Sequence, residues 1–150
     1  AWTNRQANLP LKNRQELRTL ASIVEKECGV ASERPEIAGV FVRRLQKRMR
    51  LQTDPTVIYG LGDQYRGVIY RSDLQKDTPY NTYTRDGLPP TPIAMPSREA
   101  IFAASDPKSG KTLYFVAKGD GSGEHIFSAT LDEHNRAVKA YRQRTRGQTE

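Results

Sequence analysis

Two carboxylates flank Lys26 in Glu25-Lys26-Glu27, and only one of them points where acid–base chemistry would use it. Leu17, Leu20, Ala21 and Val24 recur at i, i+3, i+4 and i+7, the spacing of one buried helical face. Placing residues at roughly 100° intervals sets Glu27 about 40° from the centre of that stripe and Glu25 about 120° away. Gly29 is expected as a left-handed helix stop, which puts Glu27 in the last turn at the negative end of the helix dipole. Partial burial and the dipole both disfavour a carboxylate and raise its pKa. A carboxylic acid that stays protonated near neutrality is what a general acid requires. A half-buried Glu paired with an Arg fits the same spacing, and the residues alone leave both readings open.

Other chemistry-bearing residues are sparse. Asp54, in Leu51-Gln52-Thr53-Asp54-Pro55-Thr56, reads first as a helix cap or turn opener. Cys28 follows the apolar face and reads as a buried inert thiol, and a single cysteine excludes an internal disulfide. His134 reads as a satisfied core histidine, and with two His and one Cys no metal site is expected. The glycines of Gly119-Asp120-Gly121-Ser122-Gly123 precede no helix, so a phosphate loop is not expected either. No cofactor is implied.

The elements that must position these residues can be read in order. Residues 1–12 form a linker or docking segment ending near Pro10, and a helix follows over 13–28. Ser32 is the expected N-cap of a second helix, with Glu33 and Pro35 in its first turn. Ile37, Val40, Phe41, Leu45 and Met49 form its apolar stripe. Arg43, Arg44, Lys47, Arg48 and Arg50 cluster at its end, as a solvated face or a contact for an anionic partner. A short helix fits near Ser72-Asp73-Leu74, and Tyr80-Asn81-Thr82-Tyr83 alternates as in a strand edge. The Pro-rich run 87–97 suits a sugar-binding wall or a polyproline ligand, and its irregular spacing favours a packed loop. A helix over 97–104 with Ser97 as cap, a hairpin pairing 113–117 with 125–128, and a C-terminal helix striped by Leu131, His134, Asn135, Val138 and Tyr141 complete the chain. Helices and a hairpin in separate blocks indicate an α+β single domain, helices packed with a small antiparallel hairpin.

With 150 residues, 24 Lys+Arg against 17 Asp+Glu, net charge +7 and a pI near 9.7, the chain suits an anionic polymer, nucleic acid or anionic lipid. No run approaches the roughly 18 apolar residues of a membrane span. No signal peptide is visible, and the abrupt polar start suits a piece of something longer.

Leu20-Ala21-Ser22-Ile23-Val24-Glu25-Lys26-Glu27 followed by Ala31-Ser32-Glu33-Arg34 resembles the signature helix of the endolytic murein transglycosylases, the YceG-like group. Met49 to Gly60, Tyr80-Asn81-Thr82-Tyr83, Gly87-Leu88-Pro89-Pro90, the hairpin strands and Glu133-His134-Asn135 match in the same order over about 17–141. Thr91 stands where the family commonly has Gly, Arg43 where it commonly has Asn, and the stretch around Pro92 and Pro96 departs from its Asn-before-proline pattern.

The resemblance implies an enzyme that cuts within nascent peptidoglycan strands at the MurNAc–GlcNAc β-1,4 bond without water, leaving 1,6-anhydroMurNAc ends. The family's catalytic Glu falls on Glu27. Gln52, Thr53, Asp54, Tyr80, Asn81 and Tyr83 are expected to line the cleft, with His125 and Phe127 as weaker candidates. The implied layout is a linker or remnant over 1–12, a catalytic domain over 13–145 and a tail over 146–150. It also implies a bacterial inner-membrane protein with this domain facing the periplasm, its N-terminal anchor and a LysM-like region absent from the chain. Peptidoglycan strands, and by family resemblance peptidoglycan synthases, are the expected partners; nucleic acid is not. A hydrolase using Glu27 with Asp54 or Glu33 as base, and a basic module that binds glycan or nucleic acid without cutting, remain the rival readings.

Overall fold

The first helix, α1 (Arg14–Glu27), is opened by Asn13, whose side chain accepts from the Glu16 amide at 2.9 Å, while Glu16 reaches back to the Lys12 amide at 2.8 Å. Its stripe of Leu17, Leu20, Ala21, Ile23 and Val24 is buried, as the periodicity requires. The helix stops at Cys28 in an extended conformation, φ −82°, so the expected left-handed stop at Gly29 is not used. Gly29 is needed for closeness instead: a Cβ there would lie 3.1 Å from the carbonyl oxygen of Gly123.

This computed structural model describes residues 1–149, with side chains to 146. A single 3-10 turn, Ala31–Glu33, leads into α2 (Arg34–Gln46), so Ser32 is not its cap and no side chain caps the start. Ser32 is instead the middle residue of that turn, and Glu33 holds the cap position. Helix α2 is buried nearly all round through Ile37, Ala38, Val40, Phe41 and Val42. It ends before Met49 because Arg48 turns left-handed at φ 58°.

Helices α3 (Asp54–Leu61) and α4 (Arg71–Gln75) follow, then α5 (Arg98–Ser105), which Ser97 caps through the Ala100 amide at 3.1 Å. Helices α1, α2 and α5 pack on one another around a single core that also takes in Leu11, Leu51 and Ile93. Residues 1–12 have no regular structure, but the Gln6 amide donates to the Ser105 carbonyl at 2.8 Å and Trp2 packs on the core. Strands β1 (Tyr114–Ala117) and β2 (His125–Ser128) pair antiparallel, Phe115 opposite Phe127, and α6 (Leu131–Thr149) covers them. Phe115 meets Phe41 of α2 edge-on, ring centroids 5.7 Å apart, and joins hairpin to core. The α+β architecture thus agrees with the block pattern of the sequence. Among the described residues no helix is long and apolar enough to cross a membrane.

The expected strand edge at Tyr80–Tyr83 is a turn. Asn81 fixes it: its amide nitrogen donates to the Leu74 and Lys76 carbonyls at 3.0 and 2.8 Å, and its side-chain oxygen accepts from the Tyr83 amide at 2.8 Å. The Pro-rich run is a packed loop, held by the buried Ile93 amide donating to Ser22 Oγ at 3.0 Å and by the Ser97 amide donating to Glu25 at 2.6 Å.

Gly39 on α2 faces the chain before β1, and a Cβ there would sit 2.5 Å from the Lys108 carbonyl oxygen. Gly39→Ala should therefore cost roughly 1–3 kcal/mol by overpacking. Thermal unfolding that matched wild type would show that this segment yields instead.

Candidate active site

The end of α1 is where the carboxyl group of Glu27 meets the loop before α3. Leu51 anchors that loop in the core, and Gln52 takes a left-handed φ of 50°. Thr53 is then presented in an extended conformation, φ −117°. Its hydroxyl donates to Glu27 Oε1 at 2.5 Å, so it is not free to cap α3, and Asp54 becomes the first residue of the helix rather than its cap. The loop is pinned from below. The Thr53 amide donates to Thr82 Oγ1 at 3.0 Å, Thr56 and Thr82 hydroxyls lie 2.9 Å apart, and both threonines are fully buried.

Glu27 stands at the wall of a cavity of about 560 Å³ between α2, the 51–54 loop, β1, β2 and α6. Desolvation of its carboxyl group is the largest influence and raises its pKa above the ordinary 4.5; the Thr53 hydroxyl lowers it, the nearby Asp54 charge raises it and His125 lowers it. The net direction is upward. Asp54 accepts from the Tyr83 hydroxyl at 2.5 Å, and burial together with that bond pushes the Tyr83 phenol well above its usual range.

A second carboxylate–imidazole contact braces the hairpin. Glu33 accepts from the His125 amide at 3.0 Å, and its other oxygen lies 2.8 Å from His125 Nδ1, with both side chains nearly buried. His125 faces the same cavity as Glu27. This use of Glu33 is the reason that the start of α2 lacks a cap there.

The cavity brings together Glu27, Gln52, Thr53, Asp54, Tyr83 and His125. It does not include the other three expected cleft residues. Asn81 is buried with its amide committed to the turn; Tyr80 bonds Thr91 at 2.8 Å and its ring leans on Tyr59; Phe127 packs against Phe115 in the core. The Pro-rich run lies outside the cavity too.

The cavity also takes in Arg44, which the sequence offers only as one member of a basic cluster, and Tyr114 and His134, which were not expected as site residues. His134 is not a satisfied core histidine. It is half-buried, stacked on Tyr114 at 5.0 Å, and its Nδ1 is buried without a hydrogen-bond partner. Burial, and then the Arg44 charge, push its pKa down. Cys28 is half-buried, its thiol donating to the Val30 carbonyl at 2.8 Å, and burial raises its pKa.

A family model described as the YceG-like family matches residues 1–140. The chain belongs to the YceG-like family. A relative from Bacillus subtilis, named endolytic murein transglycosylase, is 46% identical over 125 residues, covering 83% of this chain and 34% of its own length. One of the same name from Streptococcus pneumoniae is 36% identical over 127 residues, covering 82% and 23%. A crystal structure of a YceG-like protein from Listeria monocytogenes superposes with a TM-score of 0.76 at 45% identity, covering 81% of this chain and 39% of that one. The YceG-like chain described here thus spans about a third or less of the curated relatives it matches.

In Thr53→Val the donor that lowers the Glu27 pKa is gone while the burial remains, so the carboxyl should titrate higher than in wild type. A carboxyl-labelled NMR titration reads this directly, and a midpoint at or below wild type contradicts the assignment. The same raised pKa has a stability consequence. A proton held more tightly by the folded chain stabilises it fully below pH 4.5, and that contribution is lost as pH climbs through the folded pKa. Glu27→Gln, neutral throughout, should gain stability relative to wild type as pH rises across that window, by at most about 1.4 kcal/mol per pH unit. Denaturant unfolding at a series of pH values with a constant difference between the two proteins would contradict it.

Proposed function

We propose that this chain is the cutting part of an endolytic lytic transglycosylase acting on peptidoglycan, with Glu27 as its single acid and base. The observation that carries this reading is the state of that carboxyl group. It is desolvated, held toward its protonated form, and engaged by Thr53 through Oε1 alone. Oε2 makes no hydrogen bond among the described residues and is free to carry the proton into the cavity. The names of the relatives from Bacillus and Streptococcus support the substrate class and an extracytoplasmic place of work.

In the proposed reaction, Glu27 Oε2 gives its proton to the glycosidic oxygen between MurNAc and GlcNAc as the bond to the muramyl C1 breaks. The GlcNAc 4-hydroxyl leaves. The carboxylate then takes the proton of the muramyl 6-hydroxyl, whose oxygen closes onto C1. Glu27 returns protonated, no water is consumed, and a 1,6-anhydro end remains. Thr53, donating throughout, stabilises the carboxylate stage. Residues 13–145 would be the catalytic domain, with an anchor in the inner membrane and peptidoglycan synthases as partners supplied by the rest of a longer protein.

Asp54 supports one alternative. It opens onto the same cavity and acts electrostatically on Glu27, so it is the residue that would activate water in a two-carboxylate hydrolase. Glu33, the other base considered, is occupied by His125.

Mass spectrometry of products from uncrosslinked strands separates these. Anhydro-ended fragments are expected from the wild-type chain and should fall at least ~100-fold in Glu27→Gln, the scale of removing a general acid. Fragments one water heavier, lost in Asp54→Asn, would move the assignment to the hydrolase.

A further inference from the structure

The cavity holds a cation that the proposed chemistry does not use. Arg44, in the last turn of α2, is only 8% exposed, yet no carboxylate pairs with it among the described residues. Its Nε donates to the Leu113 carbonyl at 2.7 Å and its Nη1 to the Arg50 carbonyl at 2.8 Å, and its guanidinium lies 5.0 Å over the Tyr114 ring. Nη2 makes none of these bonds. A guanidinium stays charged in proteins, and a buried charge is ordinarily paired. Here burial is the main influence on it, and it pulls the Arg44 pKa down.

Its neighbour shows the contrast. Arg43 spends Nε and Nη2 on Thr112 and Nη1 on the Lys108 carbonyl, outside the cavity, as a brace for the chain before β1. Arg44 is the only Lys or Arg among the described residues lining the cavity. The Tyr83 hydroxyl gives its proton to Asp54, and His134, pushed toward its neutral form, presents no charge. Tyr83 is within electrostatic reach of Glu27, Asp54 and Arg44, so the cation belongs to the same cleft as the acid.

We propose that Arg44 forms an anion subsite of this cleft, receiving a carboxylate carried on the muramyl residue of the glycan and separating muramyl-containing strands from neutral ones. The inference rests on the peptidoglycan reading above. The carboxylate has two sources, the lactyl group where the stem peptide is absent and the peptide's own carboxylates where it is present. The two carbonyls that grip Nε and Nη1 fix the plane of the guanidinium and leave its far edge for a two-pronged contact.

The test is calorimetric binding by the chain carrying Glu27→Gln, which keeps ligands intact, with and without Arg44→Gln or Arg44→Lys. Three ligands of equal sugar count are compared: neutral GlcNAc oligomers, peptide-free muramyl strands and uncrosslinked peptide-bearing strands. At least one muramyl ligand should bind roughly ten- to a hundredfold tighter than the neutral oligomer, the range of a charged hydrogen-bonded contact. Arg44→Gln should bring that ratio to about one and Arg44→Lys should retain part of it, and the preference should shrink with added salt. Whichever muramyl ligand carries the preference identifies the carboxylate. Equal weakening of neutral and anionic ligands, or an unchanged ratio, overturns the subsite while wild-type cleavage of strands still upholds the peptidoglycan reading. No binding by any strand, together with no cleavage by wild type, overturns both.

Discussion

Enclosing the Glu27 carboxyl group is the constraint that the surrounding structure serves. Burial alone would raise its proton affinity further, and full exposure would leave it an ordinary carboxylate. The cavity settles between these by setting one donor, the Thr53 hydroxyl, against desolvation and the Asp54 charge. Each contributor has its own scaffold. Thr53 depends on the buried hydroxyls of Thr56 and Thr82, Asp54 on the Tyr83 phenol, and His125 on Glu33. The turn around Asn81 therefore supports the Glu27 carboxyl group through Thr82 and Tyr83, although Asn81 itself does not line the cavity.

How much of this can be read from the chain depends on the range of the interaction. The face of α1 that carries Glu27, the hairpin, and α5 with its Ser97 cap follow from periodicity and capping, which act within a few residues. The turn at Tyr80–Tyr83 does not. The adjacent Asn81 and Thr82 are both buried, bonding backbone groups of neighbouring loops, and that pairing of two inward polar residues breaks the period of a strand. Ser32 has the chemistry of a cap, but Glu33 is drawn to His125 across 92 residues, and no local signal announces that partner. From its own neighbours Asp54 reads as a cap or turn opener, and only the family resemblance puts it in the cleft, because the competing use of Thr53 lies on another helix.

The basic end of α2 makes the same point about charge. Composition presents Arg43 and Arg44 as members of one solvated cluster. In the fold one is a structural brace and the other a buried cation facing the cleft, a division set by a rotation of about 100° along the helix. Net charge and helix position carry no information about which is which.

Long-range closure has a consequence for how the surroundings of Glu27 are assembled. The contacts that brace the cavity around Glu27 join residues 26 and 92 apart, in Glu27–Thr53 and Glu33–His125. Contacts of such separation carry a loop-closure entropy cost that local contacts do not. A chain ending before the hairpin contains all of α1 and Thr53 but lacks β1, β2 and α6, which form walls of the cavity beside Glu27. The raised proton affinity of Glu27 is thus a product of topology, because the cavity walls around it come from segments far apart in the chain.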